Sequence, residues 1–183
     1  MQSRYNKLHA FIIKRRNWGE ADKIVTVFSW EKGKVTLLAK GVRKITSRRA
    51  SSLELFNKVT LLAVATKGMD LITELQLETH HPSFSQDYVK ANTAYQLVEL
   101  VDKLTAENEP HEQLYELLSK ALEFIEMTEI TKEKMDAVAV RFKVRILELL
   151  GFGLPKIQNL EELTAFIEEI TEKKLVSRRH FEI

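Results

Sequence analysis

The chain has 183 residues, 44% of them hydrophobic and 30% charged, with no cysteine. That composition supports a buried core and excludes a disordered chain, a disulfide framework, a thiolate metal site and a cysteine nucleophile. The net charge of +2 hides an asymmetry, because residues 1–80 carry 15 Lys and Arg against 7 Asp and Glu while residues 81–183 carry 13 against 19.

The first part reads as strands. Leu8–Arg16 is apolar and then basic, with Phe11, Ile12 and Ile13 at its centre. Asn17–Lys23 is a polar bend. Its Glu20 and Asp22 have no third ligand nearby, so salt bridges suit them better than a metal. Lys23–Ser29 is rich in β-branched residues and forms a second strand. Gly33 turns the chain into a third, Val35–Gly41. Leu55–Ala65 is the fourth. Met69–Thr79 is the fifth, with Leu71, Thr73, Leu75 and Leu77 expected on its inner side. Five short strands must protect their edges, which an OB-fold barrel does; an SH3-like barrel is the alternative.

After His80-His81-Pro82 the period changes and glycine vanishes until Gly151. Ser83 and Gln86 have capping-box spacing. Three apolar stripes follow, through Tyr88–Val101, Leu114–Ile125 and Met135–Leu149, with Asn108-Glu109-Pro110 between the first two. Gly151–Pro155 is a stop, and Asn159 with Glu162 opens a last short helix. The expected class is α+β: a five-stranded OB-fold barrel over residues 1–80, then an all-helical domain over 81–183.

Several constellations could carry function. Lys40, Arg43, Lys44, Arg48 and Arg49 put five cations into ten residues without an acid. Such a loop can follow a sugar–phosphate backbone, or it is a solvated loop kept soluble by charge. Lys14, Arg15 and Arg16 could enlarge the patch, as could Lys34 at the second turn. Trp18 and Trp30 at predicted turns could stack on exposed bases, or cover the open end of the barrel. His80-His81 has no metal-ligand spacing and suits the joint between halves. On the helical side Arg141 and Arg145 share a face beside Phe142. That face could receive an acidic peptide with an apolar end, or its arginines pair with Glu148, Glu123 or Glu126. No nucleophile elbow, phosphate-cradling glycine loop, catalytic residue or cofactor motif is present, so an enzyme is not expected.

The run Ala10–Phe28, containing Lys14-Arg15-Arg16-Asn17-Trp18-Gly19-Glu20-Ala21-Asp22-Lys23, resembles the opening of bacterial RecO, a family of recombination mediators and DNA-annealing proteins. Glu31-Lys32-Gly33-Lys34, Leu38–Lys44, Ser47-Arg48, Leu53–Phe56 and the Leu71–Glu78 strand continue the likeness. Arg141-Phe142 with Leu147–Phe152 is similar to the helix before the family's zinc module. The resemblance implies an OB-fold domain and a helical domain that bind single- and double-stranded DNA. It implies RecR and the acidic C-terminal tail of single-stranded DNA-binding protein as partners, and help in loading RecA during repair. The basic OB residues map to Lys40, Arg43, Lys44 and Arg48, and tail binding maps to Arg141 and Arg145. Two departures are the absence of the four zinc cysteines and an early stop at Ile183. A non-catalytic, cytoplasmic and nucleoid-associated protein is expected, since no apolar run nears the ~20 residues that span a bilayer. A scaffold whose basic face docks an acidic protein and an RNA-binding OB protein are the alternatives.

Overall fold

A computed structural model describes residues 4–44, 47, 49–129, 131–153 and 160–172. The chain divides into two compact units: Met1–His81 with Thr105–Tyr115, and Pro82–Leu104 with Glu116–Ile183.

The first unit carries five strands, β1 (Tyr5–Trp18), β2 (Asp22–Ser29), β3 (Gly33–Ala39), β4 (Lys58–Val64) and β5 (Leu71–Thr79). Antiparallel ladders join them in the order β5-β4-β1-β2-β3. Alternate residues point inward. Leu8, Ala10 and Ile12 of β1, Val25 and Val27 of β2, Leu37 of β3 and Leu61 of β4 make a buried core together with Val42 and Leu53.

The expected OB-fold barrel needs correcting. Four junctions are true ladders, but β3 and β5 share only one parallel pair, Leu38 with Leu71. There the Leu38 N–H donates to the Asp70 carbonyl at 2.8 Å. The architecture is a five-stranded sheet coiled round its core, whose outer strands touch at one point. The cause lies in β3. Beyond Ala39 the chain turns at Gly41, which has φ +67, so no strand remains to face the rest of β5. A side chain takes over: Arg49 donates from Nη2 to the Lys40 carbonyl at 3.0 Å and from Nη1 to the Ile72 carbonyl at 3.4 Å. Arg49→Ala is expected to lower stability by about 1–2 kcal/mol through lost charge-assisted bonds. An unchanged urea midpoint would remove Arg49 from the seam.

The inner face of β5 also differs from the sequence reading. The β4–β5 register shifts between Leu62 and Ala63, skipping Thr73. A bulge reverses the alternation. Ile72 therefore enters the core in place of Leu71, and Leu75 packs against it in part; Leu77, paired with Val59, is 38% exposed.

Residues 105–115 complete this unit. Glu107 bridges to Lys34 of β3, and the Asn108 N–H donates to the Lys34 carbonyl at 2.8 Å. Thr36 Oγ1 donates to Glu107 Oε1 at 2.8 Å. Further along, the buried Tyr115 ring lies 5.1 Å from Phe11, 6.4 Å from Phe28 and 5.6 Å from Trp30. Burial first, then the Glu78 and Glu31 carboxylates, hold its phenol well above the usual tyrosine range.

Among the described residues five helices follow the sheet: α1 (Ser83–Gln86), α2 (Tyr88–Leu104), α3 (Glu112–Met127), α4 (Lys132–Leu149) and α5 (Leu160–Thr171). The first turn of α3, through Tyr115, counts with the sheet. The second unit buries Ala94, Leu97, Val98 and Val101 of α2, Leu118, Leu122 and Ile125 of α3, and Met135, Phe142 and Ile146 of α4. Tyr88, expected in the first stripe, is exposed. The Ser83–Gln86 capping box does not form: Pro82 occupies the cap position, and Ser83 Oγ donates instead to Glu126 Oε2 at 2.6 Å. Thr131 caps α4 by accepting from the Lys134 N–H. The expected cap at Asn159 lies outside the described residues.

Candidate nucleic-acid interface

The cationic surface begins with a backbone irregularity. The β1–β2 register shifts between Ile12 and Lys14, leaving Ile13 as an extra residue. Ala10 and Ile12 face the core before the bulge. After it, residues of the same parity face outward. Lys14 pairs with Thr26, Arg16 with Ile24 and Trp18 with Asp22. Lys14, Arg16 and Trp18 thus form an exposed row along one strand face. Without the bulge the two cations would point into the apolar core, where an unpaired charge is not tolerated.

The loop after β3 is tied to the tip of the β1–β2 hairpin. The Arg43 N–H donates to the Ala21 carbonyl at 2.9 Å, and Arg43 Nη1 donates to the Gly19 carbonyl at 3.1 Å. The Gly41 N–H donates to Asp22 Oδ1 at 2.8 Å. Asp22 is therefore a loop anchor, a role its spacing to Glu20 did not signal. These bonds bring Lys40, Arg43 and Lys44, all exposed, to the sheet end that carries Arg16 and Trp18. Among the described residues no carboxylate pairs with those three loop cations.

Other candidates fall elsewhere. Arg15, on the opposite strand face from Arg16, is ion-paired with Glu54, and Lys23 lies 4.0 Å from the same carboxylate. Arg49 is half-buried against backbone carbonyls. Lys34 lies on β3 beside the Glu107–Asn108 segment, near the other end of the sheet. Arg48 lies outside the described residues. Trp30 packs edge-on against Tyr115, whereas Trp18 is 50% exposed, with the Arg16 guanidinium 5.0 Å from its ring centre. Arg16, Trp18, Lys40, Arg43 and Lys44 gather at this end of the sheet, with Lys14 further along β1 on the same strand face. Exposed cations around a guanidinium held by the Gly19 carbonyl suit phosphates, which need charge and donors but no base reading.

The helical unit has a site of its own. Leu117, Ala121 and Phe124 of α3 and Val138 and Phe142 of α4 line a groove of about 550 Å³, with Arg141 and Arg145 on its border. Phe142 is buried in its floor, and Phe124 is 53% exposed. Arg145 is ion-paired with Glu148 at 2.8 Å. Among the described residues Arg141 pairs with no carboxylate. The sequence reading found the arginines but missed Phe124. The signal was present, since Phe124 follows Leu117 and Ala121 at helical spacing on the border of the α3 stripe.

Among the described residues no group of three or more His, Asp or Glu could hold a metal ion. No described helix is long and apolar enough to cross a membrane.

The two parts of the chain match two family models, "Recombination protein O N terminal" over residues 1–80 and "Recombination protein O C terminal" over residues 85–156. The chain is 31% identical over 147 residues to a DNA repair protein RecO of Desulfatibacillum aliphaticivorans, covering 79% of this chain and 56% of the relative. It is 29% identical over 143 residues to the one from Desulfitobacterium hafniense strain Y51, covering 78% and 50%. With the DNA repair protein RecO of a Roseiflexus species it shares 25% identity over 173 residues, or 94% and 59%. The chain belongs to the RecO family. It spans roughly half the length of these relatives.

Proposed function

We propose that this chain binds DNA through the cationic end of its sheet and acts without catalysis as a strand-annealing recombination mediator. The observation that carries this reading is the stitched cluster of Lys40, Arg43 and Lys44 beside Arg16 and Trp18. Family membership supports it. Cations without carboxylate partners can exchange counterions for phosphates, and screening two backbones lowers the repulsion between complementary strands. Helping RecA onto single-stranded DNA follows as the role of such a surface in a repair protein.

Lys40→Ala, Arg43→Ala and Lys44→Ala combined are expected to weaken binding to every sequence. The slope of log affinity against log salt should fall by about 2, three phosphate contacts at roughly 0.7 each for single strands. Anisotropy titrations at several salt concentrations read both effects, and an unchanged slope rejects the assignment.

The groove between α3 and α4 is the proposed seat for the acidic tail of single-stranded DNA-binding protein. Its apolar floor suits a hydrophobic chain end, and Arg141 and Arg145 complement carboxylates. Charge reversal at both arginines is expected to lower affinity for an acidic tail peptide at least tenfold while leaving DNA binding unchanged. Undiminished peptide binding by calorimetry removes this seat. RecR is proposed as a partner on family membership alone.

A further inference from the structure

The tryptophans of this chain are treated differently by the fold. Trp30 is covered by Tyr115. Trp18 ends β1 opposite Asp22, on the strand face turned outward by the Ile13 bulge. It is not a member of the buried core, which does include Val42 of the neighbouring loop. Half of its surface meets solvent, and the Arg16 guanidinium lies over its ring. Beyond it the hairpin tip is open: a side chain added at Gly19 would meet nothing within 4 Å. A large aromatic surface left half exposed at the sheet end that carries the loop cations asks for a flat ligand.

From this geometry we infer that Trp18 is the residue by which the interface distinguishes single-stranded from duplex DNA, stacking an unpaired base on its exposed surface while Arg16 backs the ring. The inference rests on the DNA-binding reading above and adds a specificity to it. Lys40, Arg43 and Lys44 meet phosphates, which both forms of DNA present. Only a single strand offers a base face, since duplex bases are already stacked on each other. Stacking tolerates any base, so the preference is for strandedness and not for sequence.

The test compares the full chain with its Trp18→Ala and Trp18→Phe variants, on an oligothymidine and on a duplex of equal length. Trp18→Ala is expected to lose roughly 5- to 100-fold in affinity for the single strand. Its duplex affinity should change less than twofold, and its salt slope should be unaltered. Trp18→Phe should recover much of the loss. In a Trp30→Phe background Trp18 is the sole tryptophan, and its emission should be quenched by the oligothymidine and not by the duplex. Equal losses on both DNAs, or no loss on either, overturn the role of Trp18 while leaving the phosphate-binding cluster intact. Failure of the unmodified chain to bind any DNA at low salt overturns both.

Discussion

Gly33→Ala is expected to lower the folding stability of this chain by about 3–5 kcal/mol, combining left-handed backbone strain with overpacking. Gly33 has φ +63, and a Cβ placed there would lie 1.8 Å from the Glu109 carbonyl oxygen. That neighbour is backbone, held by the Asn108 N–H bond to the Lys34 carbonyl and by the Glu107 bridge, so it cannot rotate aside. Gly19 provides the control. It too has a positive φ, +54, but nothing lies within 4 Å of an added Cβ. Gly19→Ala is therefore expected to show only the backbone strain, about 1 kcal/mol. Urea unfolding of both variants separates the two contributions. Equal losses would show that residues 107–109 yield freely, and the packing of that segment on the sheet would have to be abandoned.

Tyr115→Ala should have a comparable effect, about 3–5 kcal/mol, because a buried ring is deleted from a cluster that cannot collapse around the gap. Three other rings, Phe11, Phe28 and Trp30, lose a partner, and the Lys58 ammonium, 6.0 Å from the Tyr115 ring, loses one of two aromatic faces. Tyr115→Phe sharpens the test. The hydroxyl is buried without a hydrogen-bond partner among the described residues, near two carboxylates that oppose its ionisation. Removing it leaves every ring contact in place, so stability is expected to stay within about 1 kcal/mol of the parent or to rise. A large loss in the phenylalanine variant would mean that the hydroxyl is bonded. A small loss in the alanine variant would mean that the ring is not part of the core.

The course of the strands was readable because it depends on local chemistry. Val25 and Val27 alternate with Thr26, and Gly33 and Gly41 stand where φ is positive. What could not be read was set by single extra residues. Nothing in Phe11-Ile12-Ile13 announces a bulge, since all three are apolar and all three are buried. Yet that bulge decides whether Lys14 and Arg16 face solvent or core. The skipped Thr73 likewise turned Ile72 inward in place of Leu71. A one-residue shift is invisible to a period-two pattern when both faces carry apolar residues.

The candidate site was legible as charge and not as geometry. Lys40, Arg43, Lys44 and Arg49 look equivalent in a basic run, but Arg49 spends its donors on the β3–β5 seam. Arg15 and Arg16 are neighbours with opposite fates, because successive strand residues face opposite ways and only Arg15 meets Glu54. Asn108-Glu109-Pro110 read as a break between helices. Its packing on β3 depends on Gly33, 76 positions before Glu109, and no local pattern encodes so distant a contact.

Because residues 105–115 count with the sheet, this unit is discontinuous along the polypeptide. During synthesis the five strands leave the ribosome first, but the cover for Phe11 and Phe28 emerges only after all of α2 has been made. Maturation of the amino-terminal unit must then await a segment that follows a helix of the other unit, an inversion of the usual order in which the first domain finishes before the next begins. A fragment ending at His81 would carry every strand and still expose the aromatic layer that Tyr115 shields.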